Sequence, residues 1–316
     1  MVAKIVLGMA TWLAGLAVLY GGRLQAWEIS LTYLALALPQ AFLVLNVAHD
    51  SIHGAVSRWR WVNRLLSYTY DGCGVSSQLV RIFHNQRHHF CINILGEDDP
   101  LSGRGVLRFT AHARHRYFHR FQHFYAALFY PMLSLDYIFV RDFVDLFNAK
   151  PVPTGLRRRA WQFFILLAGK LIYLAYIIGA PIFYLGYPVG PVLLGFLLMH
   201  LVIGLLVAAV FAPTHILEGN AFPRSRDEFP DYTHHIFATT CDFATQSRLV
   251  TWLTGALNHH IVHHIAPDVC HVHYPALTRI AKATAAEFAM PYREIPSMRG
   301  ALAAHHTMLR RLARAA

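Results

Sequence analysis

An all-α membrane protein is the fold class this sequence predicts: four transmembrane helices, interfacial helices and a cytoplasmic helical cap. Three observations predict it. Of 316 residues, 55% are hydrophobic and only 14% charged, against roughly 25% charged in a soluble domain. Four apolar runs of near-spanning length occur, at about 5–21, 30–48, 161–186 and 190–213. The 21 histidines cluster beside those runs instead of scattering. The expectation is one domain over residues 1–316, its cap drawn from 49–160 and 214–316.

The first run, Ile5 to Tyr20, lies between Lys4 and Arg23 and is slightly short for a span of ~20 residues. A signal peptide is the competing reading. Ala-x-Ala cleavage chemistry is missing and a second apolar segment follows at once, which favours a transmembrane helix. The second run, Leu31 to Ala48, carries no charge and delivers His49 at its end. Residues 54–83 are mixed, with four arginines, Trp59, Trp61, Tyr68 and Tyr70, an interfacial composition.

Phe121 to Val140 is apolar enough to suggest a span, yet contains Gln122, His123, Pro131 and Asp136. Parity decides: a crossing here would put the last histidine cluster on the opposite side from the first two. A half-embedded interfacial helix is expected instead. A polar linker, Arg141 to Arg159, holds Pro151, Pro153 and the triplet Arg157-Arg158-Arg159. The third run, Trp161 to Leu185, includes Lys170. Its charge would cost about 3 kcal/mol at mid-membrane, so it is expected to snorkel or meet a polar group. A short turn leads to the fourth run, Pro191 to Ala212, and His215 follows its exit.

The net charge is +11, and the basic residues fall in the N-terminus, the 54–160 stretch and the C-terminal third. The two short opposite-side loops hold only Arg23 between them. Both termini and all histidine clusters are therefore expected on the cytoplasmic side, against membrane lipids. No nucleic-acid partner is expected, because no recognisable nucleic-acid module occurs. Four cysteines lie far apart without a CxxC, arguing against a zinc site or a disulfide frame.

Three clusters carry the chemistry. His49 and His53 are four apart; His84, His88 and His89 stand in HNQRHH; His260, His263 and His264 stand in HIVHH. On a helix, the last three share a side at i, i+3 and i+4. Neutral imidazole suits Zn, Cu, Fe and Ni. Eight or nine imidazoles exceed what one ion accepts, so the count argues for two. A carboxylate-rich di-iron site needs Glu-x-x-His pairs, which are missing here. Two irons in a nitrogen-rich shell can take two electrons, bind dioxygen and attack an unactivated C–H bond; redox-silent zinc cannot. The histidines at 112, 115, 119 and 123 read instead as interface residues contacting headgroups or substrate. A heme cytochrome or metal transporter is the rival class, but a transporter would place ionisable groups inside the spans, where only Lys170 and His200 occur.

The residues resemble the membrane fatty-acid desaturases, specifically the front-end, linoleoyl-CoA-desaturase-like branch. The resemblance runs from His49 to about Tyr292 and includes HDSIHGAVS at 49–57, HNQRHHFCINILGEDD at 84–99, HRFQHFY at 119–125, THILEG at 214–219, ATTCDFA at 238–244 and GALNHHIVHHIAPDVCHVHYPAL at 255–277. It implies two non-heme iron ions, dioxygen as co-substrate and a fatty acyl substrate carried on CoA, a lipid or a carrier protein. The implied iron ligands are His49, His53, His84, His88, His89, His215, His260, His263 and His264. Asp50, Asp98, His235 and Asn258 are implied as groups that orient ligands. There are departures: His260 and Val262 stand where front-end members usually carry Gln and Glu, Phe83 replaces a Trp, and Ile236 replaces a Gln. They bear on positional selectivity more than on metal binding. No His-Pro-Gly-Gly heme pattern occurs, which implies a separate ferredoxin or cytochrome b5-type electron donor. On this scaffold desaturation, hydroxylation, epoxidation and acetylenation share one active site, so their separation is left open.

Overall fold

In a computed structural model the chain is described over residues 1–98, 105–148 and 156–314. Four helices are long and apolar enough to cross a membrane: Val2–Gly21, Ala26–His53, Arg157–Tyr184 and Val189–His215. All four expected spans are present, each longer than its apolar core suggested. The second continues without a break through Ala48, via a π-helical turn at Val44–Ala48, so His49 and His53 ride on the span itself. The only sheet among the described residues is a two-stranded parallel pair, Asp242–Phe243 with Glu294–Ile295. Of the polar stretches read from sequence, Asp99, Pro100, Pro151 and Pro153 lie outside the described residues.

The chain forms two compact units, each discontinuous in sequence. The first comprises Met1–Ile82 and Tyr130–Ala208. Its core joins Tyr33 and Leu36 of the second span, Tyr173 and Ile177 of the third, and Val192, Phe196 and Met199 of the fourth. Small residues let these helices approach closely, as membrane packing requires. A Cβ on Gly195 would stand 2.7 Å from the Tyr33 ring, and one on Gly204 only 2.2 Å from the Pro131 carbonyl oxygen. Tyrosine hydroxyls tie the spans together: Tyr33 donates to the Ile177 carbonyl, and Tyr187 to those of Leu19 and Gly22. Such internal partners matter where water is absent.

Lys170 meets polar groups inside this unit. Its ammonium lies 2.5 Å from Asp142 Oδ2, 2.6 Å from the Gly74 carbonyl and 3.0 Å from that of Tyr137. The second Asp142 contact is the Ser76 amide, at 2.8 Å. Lys4, counted above among the orienting charges, is buried, with its ammonium 2.6 Å from Asn46 Oδ1.

The expected interfacial helix over Phe121 to Val140 does not form as one element. Helix Gln122–Phe129 ends before Tyr130-Pro131. The chain resumes as Leu133–Asp136, a π-turn and Asp142–Asn148. Pro131 has no amide proton and its ring clashes with the preceding turn, so a continuous helix is cut there. Helix Asp142–Asn148 likewise occupies the start of what read as a polar linker.

The second unit comprises Phe83–Phe129 and Ala209–Ala316. It is mostly short helices, among them Tyr232–Thr239, His260–Ile265, Tyr274–Glu287 and Met298–Arg314. The histidines at 112–123 differ in their surroundings: His112 and His115 are exposed, His119 is not. His119 is buried and bonds the Gly105 carbonyl at 3.0 Å, His112 bonds that of Phe222 at 2.8 Å, and His115 approaches that of Ala313 at 3.3 Å. They pin a loop that has little regular structure of its own.

Candidate metal centre

Within the second unit, nitrogens of His88, His215, His260 and His264 all lie within 4.8 Å of one another, and all four side chains are buried. His215 comes from the last turn of the fourth span, His88 from the π-turn His84–His88, and His260 and His264 from one face of helix His260–Ile265. A second group sits beside it. His84 Nε2 is 3.2 Å from His89 Nε2, and the His263 ring lies 4.7 Å from that of His89 and 5.8 Å from that of His84. The His89 ring also packs 4.5 Å from that of His264, linking the two groups.

The three imidazoles of HIVHH were expected to share a side. All three are buried, but only the i, i+4 pair enters the quartet, while His263, at i+3, turns to the second group. The about 100° step between successive helix residues separates i+3 from i+4 enough to divide them. The π-turn has a similar effect on HNQRHH, sending His88 to the quartet and leaving His84 with His89.

The outer nitrogens explain what the inner ones can do. His260 Nδ1 is 3.0 Å from the Leu257 carbonyl, His215 Nδ1 3.4 Å from that of Thr239, and His88 Nδ1 3.0 Å from Asp98 Oδ1. These acceptors carry no proton, so each Nδ1 must hold one and each Nε2 is left with a lone pair. Two of those Nε2 atoms nevertheless converge, His215 and His260 at 2.8 Å, and His264 Nε2 lies 3.2 Å from that of His215. Lone pairs that close repel unless a cation lies among them. Ligand atoms held at about 2.0–2.1 Å from one metal stand about 3 Å apart, which these distances match. Burial and the neighbouring imidazoles also hold His264 well below the usual histidine pKa, keeping it in the neutral form that binds metal. The donor set fits a borderline transition metal.

Three side chains that sequence reasoning missed set this geometry. Asn93, in the left-handed region at φ 60°, donates from Nδ2 to the carbonyls of His215, Ala221 and Thr239, and its amide donates to Asp98 Oδ2 at 2.8 Å. Asn220 reaches the carbonyls of Thr214, His215 and Thr239. Together they satisfy carbonyls that the end of a helix leaves open and so fix the backbone of His215. Asp242 accepts the Ile261 amide at 2.8 Å and the Tyr292 hydroxyl. It anchors the first turn of the ligand helix, and burial pushes its carboxyl up to about 7. Asn93 and Asp242 stand in motifs quoted above, but an asparagine in a loop and an acid beside a strand give no periodic signal.

Of the four groups expected to orient ligands, Asp98 bonds the His88 ring directly. Asn258 acts one step back. Its Nδ2 bonds the carbonyls of Phe243 and Ala244 at 3.1 and 3.2 Å, holding the segment that leads into the ligand helix. His235 bonds the Ile92 carbonyl at 2.7 Å and packs on Phe229 rather than on a cluster imidazole. In the first unit, the His49 and His53 rings lie 4.9 Å apart at the end of the second span. Asp50 is buried beside them, its Oδ1 4.0 Å from His49 Nδ1, too far for a hydrogen bond.

Comparison with known proteins adds a separate line. The family described as fatty acid desaturase matches residues 6–296. The chain is similar to the sn-1 linoleoyl-lipid 6-desaturase of Synechocystis sp., 33% identical over 290 residues that cover 89% of this chain and 80% of that protein. It is similar to the enzyme of the same name from Arthrospira platensis, 30% identical over 296 residues, 90% of this chain and 78% of the other. The acyl-lipid (8-3)-desaturase of Physcomitrium patens is 31% identical over 273 residues, 85% of this chain but 57% of that longer protein.

Proposed function

Because this chain belongs to the fatty acid desaturase family, and is an integral membrane enzyme of that kind, we propose that it introduces a double bond into the acyl chain of a membrane lipid. One –CH2–CH2– unit, one dioxygen, two electrons and two protons become –CH=CH– and two waters. The acyl-lipid substrate is suggested by the names of the relatives, two of them linoleoyl-lipid 6-desaturases. A front-end position for the new bond follows the same likeness, with His260 as the residue where this chain departs from the pattern.

The proposed cofactor is a pair of non-heme irons. The proposed ligands are the nine histidines that the resemblance implies, His49, His53, His84, His88, His89, His215, His260, His263 and His264. Bound there, the irons supply the electron and oxygen chemistry that removes hydrogen from an unactivated carbon. The protein's part is positional. Asp98 holds the Nδ1 proton of His88, Leu257 that of His260, and Tyr274 stands 3.3 Å from His263 Nδ1. The bonds from Asp98 and Leu257 each fix a tautomer and a ring plane, which raises ligand basicity and keeps the inner nitrogen free for metal. Burial of the quartet keeps water from the reacting face.

The electrons are proposed to come from a separate ferredoxin or cytochrome b5-type protein. The termini and the centre are proposed to face the cytoplasm, on the distribution of Lys and Arg. The observation that carries the assignment is the convergence of the His215 and His260 Nε2 atoms, 2.8 Å apart, while the Nδ1 of each faces a carbonyl oxygen. Lipid profiling of cells that express the chain with a competent electron donor tests it. Products lighter by two hydrogens are expected. Products that gain an oxygen atom would make the enzyme a hydroxylase or epoxidase instead.

A further inference from the structure

The Arg157-Arg158-Arg159 triplet plays no part in the metal centre. Arg157 and Arg158 open the third span and, with Arg64, rim a groove of about 900 Å³ in the first unit. Trp161, Phe164 and Ile165 of the same span line its length, all exposed. None of the three arginines forms an ion pair among the described residues; Arg64 Nε donates only to the Tyr68 hydroxyl, at 3.1 Å. Gln162, also lining the groove, keeps a buried Oε1 with no hydrogen-bond partner among the described residues.

We propose that this groove binds an anionic phospholipid, its phosphate among Arg64, Arg157 and Arg158 and one acyl chain along Trp161, Phe164 and Ile165. Three observations carry the inference. The charge is of one sign and uncompensated, and guanidinium forks match phosphate oxygens. The groove changes from basic to apolar along the helix axis, as a phospholipid does from head to tail. It also lies at the first turns of a membrane span, the depth at which headgroups meet basic side chains and Trp. An acidic protein would match the arginines but not the apolar length beyond them. The groove shares no residue with the metal centre, so the inference holds whatever reaction that centre performs.

Native mass spectrometry of the purified full chain, offered dioleoylphosphatidylglycerol or dioleoylphosphatidylcholine, tests the proposal. Phosphatidylglycerol should be retained in preference. Each single Arg→Gln change at 64, 157 or 158 should lower that retention about fivefold, and the triple variant should lose the preference. Trp161→Ala should weaken retention of both lipids alike. Changing Arg310, Arg311 and Arg314 of the C-terminal helix to Gln should leave the preference intact. Thermal unfolding checks that each variant is folded, and the single variants carry the test if the triple is not. Equal retention of the two lipids by the parent chain would overturn the proposal. So would a preference that survives the triple change, or one lost in the C-terminal variant. A raised KM for an acidic electron donor in the triple variant, with lipid retention unchanged, would assign the groove to a protein and overturn it too.

Discussion

His264 has the plainest role at the residue scale: its imidazole belongs to the buried quartet. His264→Ala should cost the chain one bound iron and reduce product below detection while the protein still inserts in the membrane; metal content and lipid product read both effects. Asp98→Asn should act more mildly. The His88 ring keeps a neutral partner but loses the carboxylate, and metal affinity should fall about 10–100-fold. Asp242 separates hydrogen bonding from charge. Asp242→Asn can still accept the Ile261 amide, whereas Asp242→Ala leaves that amide buried and unsatisfied at a cost of about 1–3 kcal/mol. Metal release should therefore be faster in the Ala variant than in the Asn variant. Equal behaviour would mean that Asp242 does not hold the ligand helix. The residues in these three tests were unequally legible in sequence. Clustered histidines announce themselves by spacing. Asn93, Asn220 and Asp242 bond backbone groups brought close only by the fold, and spacing is silent about that.

At the scale of elements, the apolar runs were sufficient to find four spans, because a bilayer demands length and hydrophobicity before anything else. They were insufficient to find where each helix stops. The second span runs on to His53 because histidine and aspartate are tolerated in a helix once buried among partners. Pro131 was visible in sequence, but its consequence, two short helices in place of one, outweighed the apolar count that suggested continuity. Close packing around that break gives a test. Gly204→Val would drive a Cβ to 2.2 Å from the Pro131 carbonyl, so the fourth span could not stay seated and the variant should unfold at lower temperature. Gly190→Val, with nothing within 4 Å of its Cβ position, should lose far less. Lys170 and Asp142 make a second test. Lys170→Met leaves a buried carboxylate without its cation, at a cost of roughly 3–5 kcal/mol; adding Asp142→Asn should return much of it. Sequence suggested that Lys170 needs a partner but could not name one 28 residues upstream.

For the molecule as a whole, two buried histidines outside the ligand set couple stability to acid. Burial holds both His259 and His305 down to about 4, against about 6.5 in an unfolded chain. The folded state therefore binds fewer protons than the unfolded state between those values. Stability is fully present above pH 6.5 and falls as the pH drops toward 4, by up to about 3 kcal/mol per histidine. Denaturation followed from pH 7 to pH 4 should show that decline, and His305→Leu should flatten part of it. Metal loss should run in the same direction, since protons compete for ligand nitrogens. The central claim is that imidazoles remote in sequence hold a pair of redox-active irons. Metal analysis of the purified chain, with its absorption spectrum, tests that most directly. Two irons per chain without a heme Soret band is the predicted result; heme, or zinc as the sole bound metal, would contradict it.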